Sequence, residues 1–328
     1  MIADLTVRRE QLDDLEPEWR RLLPRGSLPH PFLSPTWLRA WWQQFGAGRE
    51  LMLLSVRRGG ELVAVAPLMR DDGRLTFAGD SEICDYMDFV ALAGSEAAAV
   101  AAVLRPLKEE DWREIVLWAV REDSPTLKAL PAVCAELGLS LETELEDVCP
   151  RITLPASWEE YLEGLDKKDR HELRRKLRKL PQGGAVGLEV LDQPDQVEDA
   201  LDDFLRLHAD SRADKAAFMT PDMAAFFRRV IGALSREDVV ELIFLTLDRV
   251  RVAAVVCFRT DGELLLYNSG YDPAYAGLSV GIASKVLALR HAIEAGRSCF
   301  DFLRGAEPYK YDLGARNLNV YRCIIRRP

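Results

Sequence analysis

The sequence predicts a mixed α/β protein, with helices and strands in both halves, that folds as two similar domains. Its 328 residues suit two domains of ordinary size, and its 48% hydrophobic and 29% charged residues are typical of a globular protein. Residues 50–77 and 241–267 share one pattern of strand, turn, apolar strand, Asp-Gly turn and strand. Any two β-meanders look alike to this extent, but similar helices precede both, which favours a duplicated domain.

Charge and hydropathy exclude several classes of protein. The net charge of −10 argues against a general affinity for nucleic acid. No run approaches the roughly 20 apolar residues of a membrane helix. Residues 1–12 lack the basic start and apolar stretch of a secretory signal. We therefore expect a cytoplasmic protein without a membrane span.

The spacing of the cysteines and histidines indicates neither a metal site nor a set of disulfide bonds. The 6 cysteines lie far apart without a CxxC pair, so we expect free thiols that pack as small apolar residues. None of the 4 histidines stands at metal-ligand spacing from another. We expect no metal site.

Periodicity and end signals place the elements of the first half. The predicted strands lie at residues 51–56, 62–68, 75–77, 87–92 and 115–120. The predicted helices lie at residues 12–23, 35–42, 96–107 and 126–137.

The pattern restarts near residues 148–155, so we predict domains over 1–150 and 151–328. Ser157 and Glu160 form a capping box for a helix whose apolar face continues to Leu180. Further predicted helices lie at residues 197–208, 223–234 and 280–295, the second of them opened by Thr220 and Pro221. Further predicted strands lie at residues 239–247, 252–258, 263–268 and 299–302.

The start of the last long helix is a candidate phosphate site. A strand, a polar loop and a Gly- and Ser-rich turn lead into this helix, and free N–H groups at a helix start attract anions. The predicted donors are Ser279, Val280, Gly281 and Ile282. The alternative is that Gly and Ser here only cap the helix. Residues 277–281 also match G-x-S-x-G, but no strand directly precedes the serine, so a hydrolase nucleophile is excluded.

A basic segment and a polar loop complete the candidates. Residues 167–179 carry eight Lys or Arg against two acidic residues, so Arg174 and Arg175 are candidates to hold phosphates of a cofactor or of RNA. The alternative is a solvated helix face. Residues 300–311 form a strand end and loop rich in groups that exchange protons. Asp301 needs a partner if it is buried, and its alternative role is to cap a turn.

Taken together, these motifs resemble a known family. The sequence is similar to the BioF2-like and CelD-type branch of the GNAT superfamily of acetyltransferases, which are relatives of the Fem peptidyltransferases. The similar pieces follow the family order along nearly the whole chain, at residues 31–38, 41–42, 85–88, 170–175, 207–212, 271–273, 279–281, 300–305 and 309–310.

The resemblance implies two tandem GNAT-like domains, with acyl-CoA, such as acetyl-CoA, bound in the second. It also allows the C-terminal tail to return to the first domain. The commoner GNAT pyrophosphate motif, Q/R-x-x-G-x-G/A, is represented at residues 278–281 by a single matching glycine, Gly281. The first half shows no such loop.

The hypothesis is acyl transfer from acyl-CoA to an amine or hydroxyl of a small molecule, sugar or polymer. Asn268 and Ser269 are predicted to contact the oxyanion, Asp301 or Glu307 to accept a proton, and Tyr271 or Tyr309 to donate one. The predicted acceptor-binding residues are Asp85, Tyr86, Asp88, His208, Arg212 and Lys310.

Two alternatives remain open. One is a Fem-like ligase that takes its acyl group from aminoacyl-tRNA, with the basic helix meeting RNA. The other is a non-catalytic GNAT-like scaffold that binds a ligand or partner.

Overall fold

The computed structural model describes residues 5–328 and divides the chain into two compact units. The first comprises the described residues up to Val148 together with Leu318–Pro328, and the second is Cys149–Asn317.

The first unit has a mixed sheet with helices before and between its strands. Its helices are α1 (Leu12–Leu22), α2 (Pro35–Phe45), α3 (Glu96–Leu107) and α4 (Pro125–Leu137). Its strands are β1 (Leu5–Glu10), β2 (Glu50–Arg58), β3 (Glu61–Asp71), β4 (Arg74–Phe77), β5 (Val90–Ala91), β6 (Glu114–Arg121) and the last strand of the chain, β13 (Arg316–Arg326). The order is β1-β2-β3-β4-β6-β13, with β5 beside β3.

The second unit contains the remaining elements, and the unit boundary falls within β7. Its helices are α5 (Trp158–Gly164), α6 (Lys167–Lys179), α7 (Pro194–Ser211), α8 (Ala213–Phe218), α9 (Pro221–Ser235), α10 (Val280–Glu294) and α11 (Pro308–Asp312). Its strands are β7 (Ser140–Thr153), β8 (Val186–Leu191), β9 (Val240–Leu247), β10 (Val250–Arg259), β11 (Glu263–Tyr271) and β12 (Cys299–Asp301), in the order β8-β9-β10-β11-β12-β7.

The two units repeat one topology. In each, four antiparallel strands form a meander, a helix crosses over, and the next strand pairs in parallel with the fourth. A further antiparallel strand follows, β13 beside β6 in the first unit and β7 beside β12 in the second. The predicted fold class, mixed α/β with a duplicated domain, agrees with this arrangement.

Several predicted helix starts coincide with observed caps. The Thr220 hydroxyl accepts a hydrogen bond from Met223 N–H, and Ser157 Oγ accepts one from Glu160 N–H at 3.2 Å. The single helix expected from Ser157 to Leu180 is wrong, because the chain ends α5 at Gly164 and begins α6 at Lys167. Leu165 and Asp166 are extended between them, with ψ near 150° and 147°.

Gly270, which has no side chain, sets the distance between helix α7 and strand β11. A methyl group on Gly270 would overlap the backbone of Leu207 and His208 in α7. Glycine lets the two backbones approach this closely, so α7 lies directly over the end of β11. Gly270 therefore fixes where His208 meets the strand.

We expect Gly270→Ala to destabilise the protein by about 1–3 kcal/mol, because the added methyl group has backbone rather than flexible side chain in its way. Urea denaturation measures this loss. Gly277→Ala is the matched control, because its added methyl group meets nothing within 4 Å, and its stability should stay within about 0.5 kcal/mol of wild type. Equal losses in both variants would contradict the packing argument.

Candidate active site

An open strand edge is the main feature of the second unit. β11 pairs in parallel with β12 only from Glu263 to Leu265, opposite Cys299 to Asp301. β12 ends there, whereas β11 continues to Tyr271 with no further strand on that side among the described residues. The last part of β11 therefore borders a gap, where its backbone groups can meet a ligand.

The chain leaves β12 through a tight turn that keeps this gap open. Leu303 and Gly305 have positive φ angles of 55° and 106°, and a side chain at Gly305 would lie 2.8 Å from Glu307 Oε2. Asp301 is completely buried, and its Oδ1 accepts a hydrogen bond from Leu303 N–H at 2.8 Å. Its carboxylate also lies 3.9 Å from Arg151 Nε. Asp301 thus stabilises the turn, the alternative role considered for it.

Lys310 stabilises the same turn from within. Its buried Nζ donates hydrogen bonds to three carbonyl oxygens, those of Leu303 at 3.1 Å, Arg304 at 2.8 Å and Gly305 at 2.9 Å. It also lies 2.9 Å from Glu307 Oε2. Burial alone would raise the pKa of Glu307, but the Lys310 hydrogen bond and the nearby lysine charges outweigh it and lower the pKa. Glu307 is therefore ionised and half exposed at the edge of the gap.

A β-bulge shapes the free edge of β11. Val256 of β10 pairs with Asn268 and Cys257 pairs with Leu266, so Tyr267 is an extra residue on β11. Beyond the bulge, Ser269 directs both backbone groups away from β10. Its N–H donates to Asn268 Oδ1 at 2.9 Å, and its carbonyl accepts a hydrogen bond from Lys215 Nζ of α8.

His208 and Arg212 lie behind this edge. His208 is 1% exposed, hydrogen-bonds the Asn268 side chain, and has its pKa lowered to about 4 by burial and by the Lys215 charge. It is therefore neutral and positions Asn268. Arg212 is exposed and forms two hydrogen bonds of 2.9 Å with Asp214.

The start of α10 supplies part of the predicted phosphate site. Of the four predicted donors, Ser279 N–H bonds Ala276 O at 2.9 Å and Ile282 N–H bonds Ser279 O at 3.1 Å, so these two are occupied. The N–H groups of Val280 and Gly281 have no such partner among the described residues, as expected in the first turn of a helix. Tyr271 covers this turn, because a methyl group on Gly281 would lie 2.8 Å from its ring.

Two further lysines lie near the gap. Lys285 of α10 is buried, donates from Nζ to Gly281 O at 2.8 Å, and lies 5.3 Å from the centre of the Tyr309 ring. Burial and the charge of Lys215 lower its pKa to about 7. Burial and the charge of Arg212 lower the pKa of Lys215 to about 8. Burial also raises the pKa of Tyr309, which keeps its hydroxyl protonated.

A cavity of about 90 Å³ is lined in part by Tyr309. It lies between α6, α10 and α11, with an apolar floor and a charged rim formed by Lys168, Asp169, Glu172, Leu173, Lys176, Leu177, Ile282, Ala283, Val286, Tyr309, Asp312 and Leu313. The structure does not bring Arg174 or Arg175 into it. Arg174 is exposed, and Arg175 forms two hydrogen bonds with Glu172, of 2.7 and 2.6 Å.

The three predicted acceptor residues of the first unit lie apart from these groups in the sequence and pack within their own unit. Asp88 is buried and accepts hydrogen bonds from Ser124 Oγ and Phe89 N–H, and burial raises its pKa to about 6. Tyr86 is buried with the Arg121 guanidinium 5.0 Å from its ring centre, and Asp85 is half-buried. Their role in acceptor binding stays a prediction.

Within residues 5–328, no helix is long and apolar enough to cross a membrane. The same residues contain no cluster of three or more potential metal ligands.

Comparison with known proteins supports the fold. Residues 167–311 match the family described as acetyltransferase (GNAT) domain. The second unit therefore contains a GNAT domain. No curated protein matches the chain.

Solved structures resemble the whole chain beyond this GNAT domain. FemX has a TM-score of 0.65 at 12% identity, covering 97% of this chain and 96% of its own. The C-terminal domain of a putative lysylphosphatidylglycerol synthetase from Agrobacterium fabrum has 0.64 at 14%, covering 96% and 92%. A tandem GNAT protein from the clavulanic acid biosynthesis pathway has 0.50 at 14%, covering 99% of each chain. At these identities the likeness establishes the fold, which FemX shares, and the family match confirms the expected resemblance to the GNAT superfamily.

Sequence reasoning missed Lys215 and Lys285 of the GNAT domain. Lys285 carried a usable signal, because it is the single charged residue in the largely apolar helical stretch of residues 280–289. Lys215 lies in a short polar helix where a lysine is unremarkable, so only the fold reveals that it reaches Ser269.

We expect Lys285→Met to change the pH dependence of stability. The folded Lys285 pKa of about 7 is below the ordinary value of 10.5, so between these values the unfolded chain binds more protons and wild-type stability rises with pH. Methionine removes this linkage. Relative to wild type, the variant should therefore be most stable at pH 7. As the pH rises, its excess free energy of unfolding over wild type should shrink by up to about 1.4 kcal/mol per pH unit.

Chemical denaturation at pH 7, 8 and 9 measures the difference. Exposed Lys128, changed to Met, is the control and should give a difference that does not vary with pH. A constant difference for Lys285→Met as well would show that Lys285 is not a neutralised buried amine.

Proposed function

We propose that this protein is an acyltransferase whose GNAT domain takes an acyl group from acyl-CoA, such as acetyl-CoA, and passes it to an amine or hydroxyl. The single observation that carries the proposal is the open edge of β11 leading to the amides of Val280 and Gly281, which have no hydrogen-bond partner among the described residues. A strand edge and a helix start in succession suit a ligand with an extended amide-containing arm and a pyrophosphate.

The donor is oriented by these two features. Its pyrophosphate accepts hydrogen bonds from the Val280 and Gly281 N–H groups, where the α10 dipole favours negative charge. Its pantetheine arm follows the free edge of β11, which places the thioester near the bulge at Tyr267. Proteins that share this fold include both acetyltransferases and Fem-type proteins, so the fold alone does not decide the donor. The choice of acyl-CoA as donor therefore rests on Val280, Gly281 and the free edge of β11.

In the chemical step the acceptor nitrogen or oxygen attacks the thioester carbon. The new bond forms, the C–S bond breaks, and the coenzyme leaves as a thiolate with a pKa near 8.5, which lessens the need for an acid. Charge develops on the carbonyl oxygen, and Ser269 N–H is the donor at the open edge that meets it. Asn268, positioned by His208, releases this N–H when the thioester binds.

Of the two carboxylates considered as proton acceptor, Glu307 is the one that an acceptor molecule can reach. Its side chain is 51% exposed, whereas Asp301 is 0% exposed and bound to the turn. Glu307 is ionised, so it can take the proton that the attacking group loses.

A second donor class is favoured by one observation on α6. Lys167, Lys168, Arg174 and Arg178 are exposed and form no ion pair within the described part of the chain. Such a row of free cations suits the phosphates of an aminoacyl-tRNA. If charged tRNA binds with a steep salt dependence and CoA compounds do not bind, the Fem-like reading replaces the CoA proposal.

The donor proposal predicts that Ser279→Asp weakens CoA binding tenfold or more. Ser279 has a left-handed backbone, which Asp and Asn tolerate, and it caps α10 without a side-chain hydrogen bond. A carboxylate there would repel the pyrophosphate, while its negative charge at the helix start maintains or raises stability. Titration calorimetry with CoA measures the affinity.

Ser279→Asn is the matched control, since it has the same shape without the charge and should bind CoA better than the Asp variant. If both variants bind as wild type does, the pyrophosphate does not lie at α10. If wild type binds neither CoA compounds nor charged tRNA, the non-catalytic scaffold becomes the preferred interpretation.

The catalytic assignment predicts that Glu307→Gln lowers kcat by about 100-fold or more while CoA affinity changes little, because a general base contributes to the chemical step. Asp301→Asn should chiefly lower the thermal unfolding temperature, because it weakens the turn after β12. Steady-state kinetics with thermal unfolding separates the two. A Glu307→Gln variant with wild-type kcat would remove Glu307 from the mechanism.

A further inference from the structure

Three lysines from three helices approach the gap, with one carboxylate among them. Lys215 comes from α8, Lys285 from α10 and Lys310 from α11. Lys310 forms an ion pair with Glu307 at 2.9 Å. Among the described residues, no carboxylate lies within ion-pair distance of Lys215 or Lys285. This part of the unit therefore has more ammonium groups than partners for them.

The hydrogen bonds of Lys215 and Lys285 leave donors unused. Each Nζ is hydrogen-bonded to one carbonyl oxygen, that of Ser269 for Lys215 and that of Gly281 for Lys285. An ammonium has three N–H donors, so each lysine can bind another acceptor. Both carbonyls belong to the proposed donor site, one at the free edge of β11 and the other at the start of α10.

The surrounding charges do not neutralise the pair. The charged groups that act on Lys215 are Arg212, Asp214 and Glu307, and those that act on Lys285 are Lys215, Glu307 and Lys310. Asp214 is engaged by Arg212 and Glu307 by Lys310. Burying an ammonium without a counter-charge is costly, and the low pKa values of both lysines express that cost. An anion from outside the chain would relieve it.

We propose that the substrate carries a carboxylate that binds between Lys215 and Lys285, next to the reacting carbonyl. This inference rests on the proposed acyl transfer at the same site. Because Lys215 bonds the carbonyl of Ser269, whose N–H is assigned to the oxyanion, the carboxylate lies a few atoms from the thioester carbon. It belongs either to a dicarboxylic acyl group or to an acceptor of the amino acid type.

Two matched ligand pairs distinguish these sources by titration calorimetry. Succinyl-CoA and butyryl-CoA differ in a terminal carboxylate on the acyl chain. Alanine and ethylamine, titrated into the protein saturated with CoA, differ in a carboxylate on the acceptor. We expect that, in one of the two pairs, the ligand with the additional carboxylate binds at least tenfold more tightly than its partner. The acyl source favours the first pair, and the acceptor source favours the second.

The preference for the ligand with the carboxylate should depend on both lysines. Lys215→Met and Lys285→Met should each reduce it severalfold or more, while Lys128→Met, on an exposed helix of the first unit, should leave it unchanged. Because the carboxylate binds the protonated lysines, its binding at pH 8 should take up protons. The measured enthalpy should then vary with the ionisation enthalpy of the buffer, and the preference should weaken toward pH 9.

Lysine to methionine conserves volume at buried Lys285 and at half-buried Lys215, and thermal unfolding verifies that each variant is folded. If CoA binds, but succinyl-CoA is not preferred over butyryl-CoA and alanine is not preferred over ethylamine, the inference is overturned and the proposed acyl transfer stands. A preference that survives both lysine substitutions overturns it too. If wild type binds no CoA compound, the proposed function fails and the inference falls with it.

Discussion

The short parallel pairing of β11 with β12 is the constraint from which the candidate site follows. A strand inside a sheet bonds neighbours on both sides, but β11 loses its second neighbour after Leu265 while it still pairs with β10. Its backbone groups beyond that point need other partners. Lys215 and the side chain of Asn268 provide them at Ser269, and both are side chains that a ligand can displace. The sheet thus creates a binding edge without a dedicated loop.

Two devices keep that edge open and aligned. On one side, the turn after β12 is fixed by Asp301 and by the three carbonyl hydrogen bonds of Lys310, so β12 cannot extend along β11. On the other side, Gly270 lets the backbone of α7 pack closely against β11, so that His208 reaches the Asn268 side chain. Neutral His208 and ion-paired Lys310 therefore have structural roles on the two sides of this open edge.

The sequence predicts elements better than it predicts neighbours. Thr220 and the start of α10 are visible locally, because capping and helix periodicity depend on residues a few positions apart. Burial is different, since it depends on the tertiary fold. Asp301 looked equally suited to catalysis and to a turn until its contact with Leu303 was seen. Arg175 looked free, although its spacing from Glu172 already allowed the observed helix pair. Lys215 gave no local signal at all.

The duplicated topology also explains why the donor is assigned to the second unit. In the first unit β4 ends at Phe77, directly after its last parallel pair with β6 at Thr76, so no long free edge remains. Its crossover helix α3 begins with Glu96, whose carboxylate accepts hydrogen bonds from the backbone of the helix start and from Ser27. The first turn of α10 has no acidic residue. The start of α3 thus has a carboxylate of its own chain, whereas the first two amides of α10 have no partner among the described residues. For this reason the proposed phosphate site falls in the second unit.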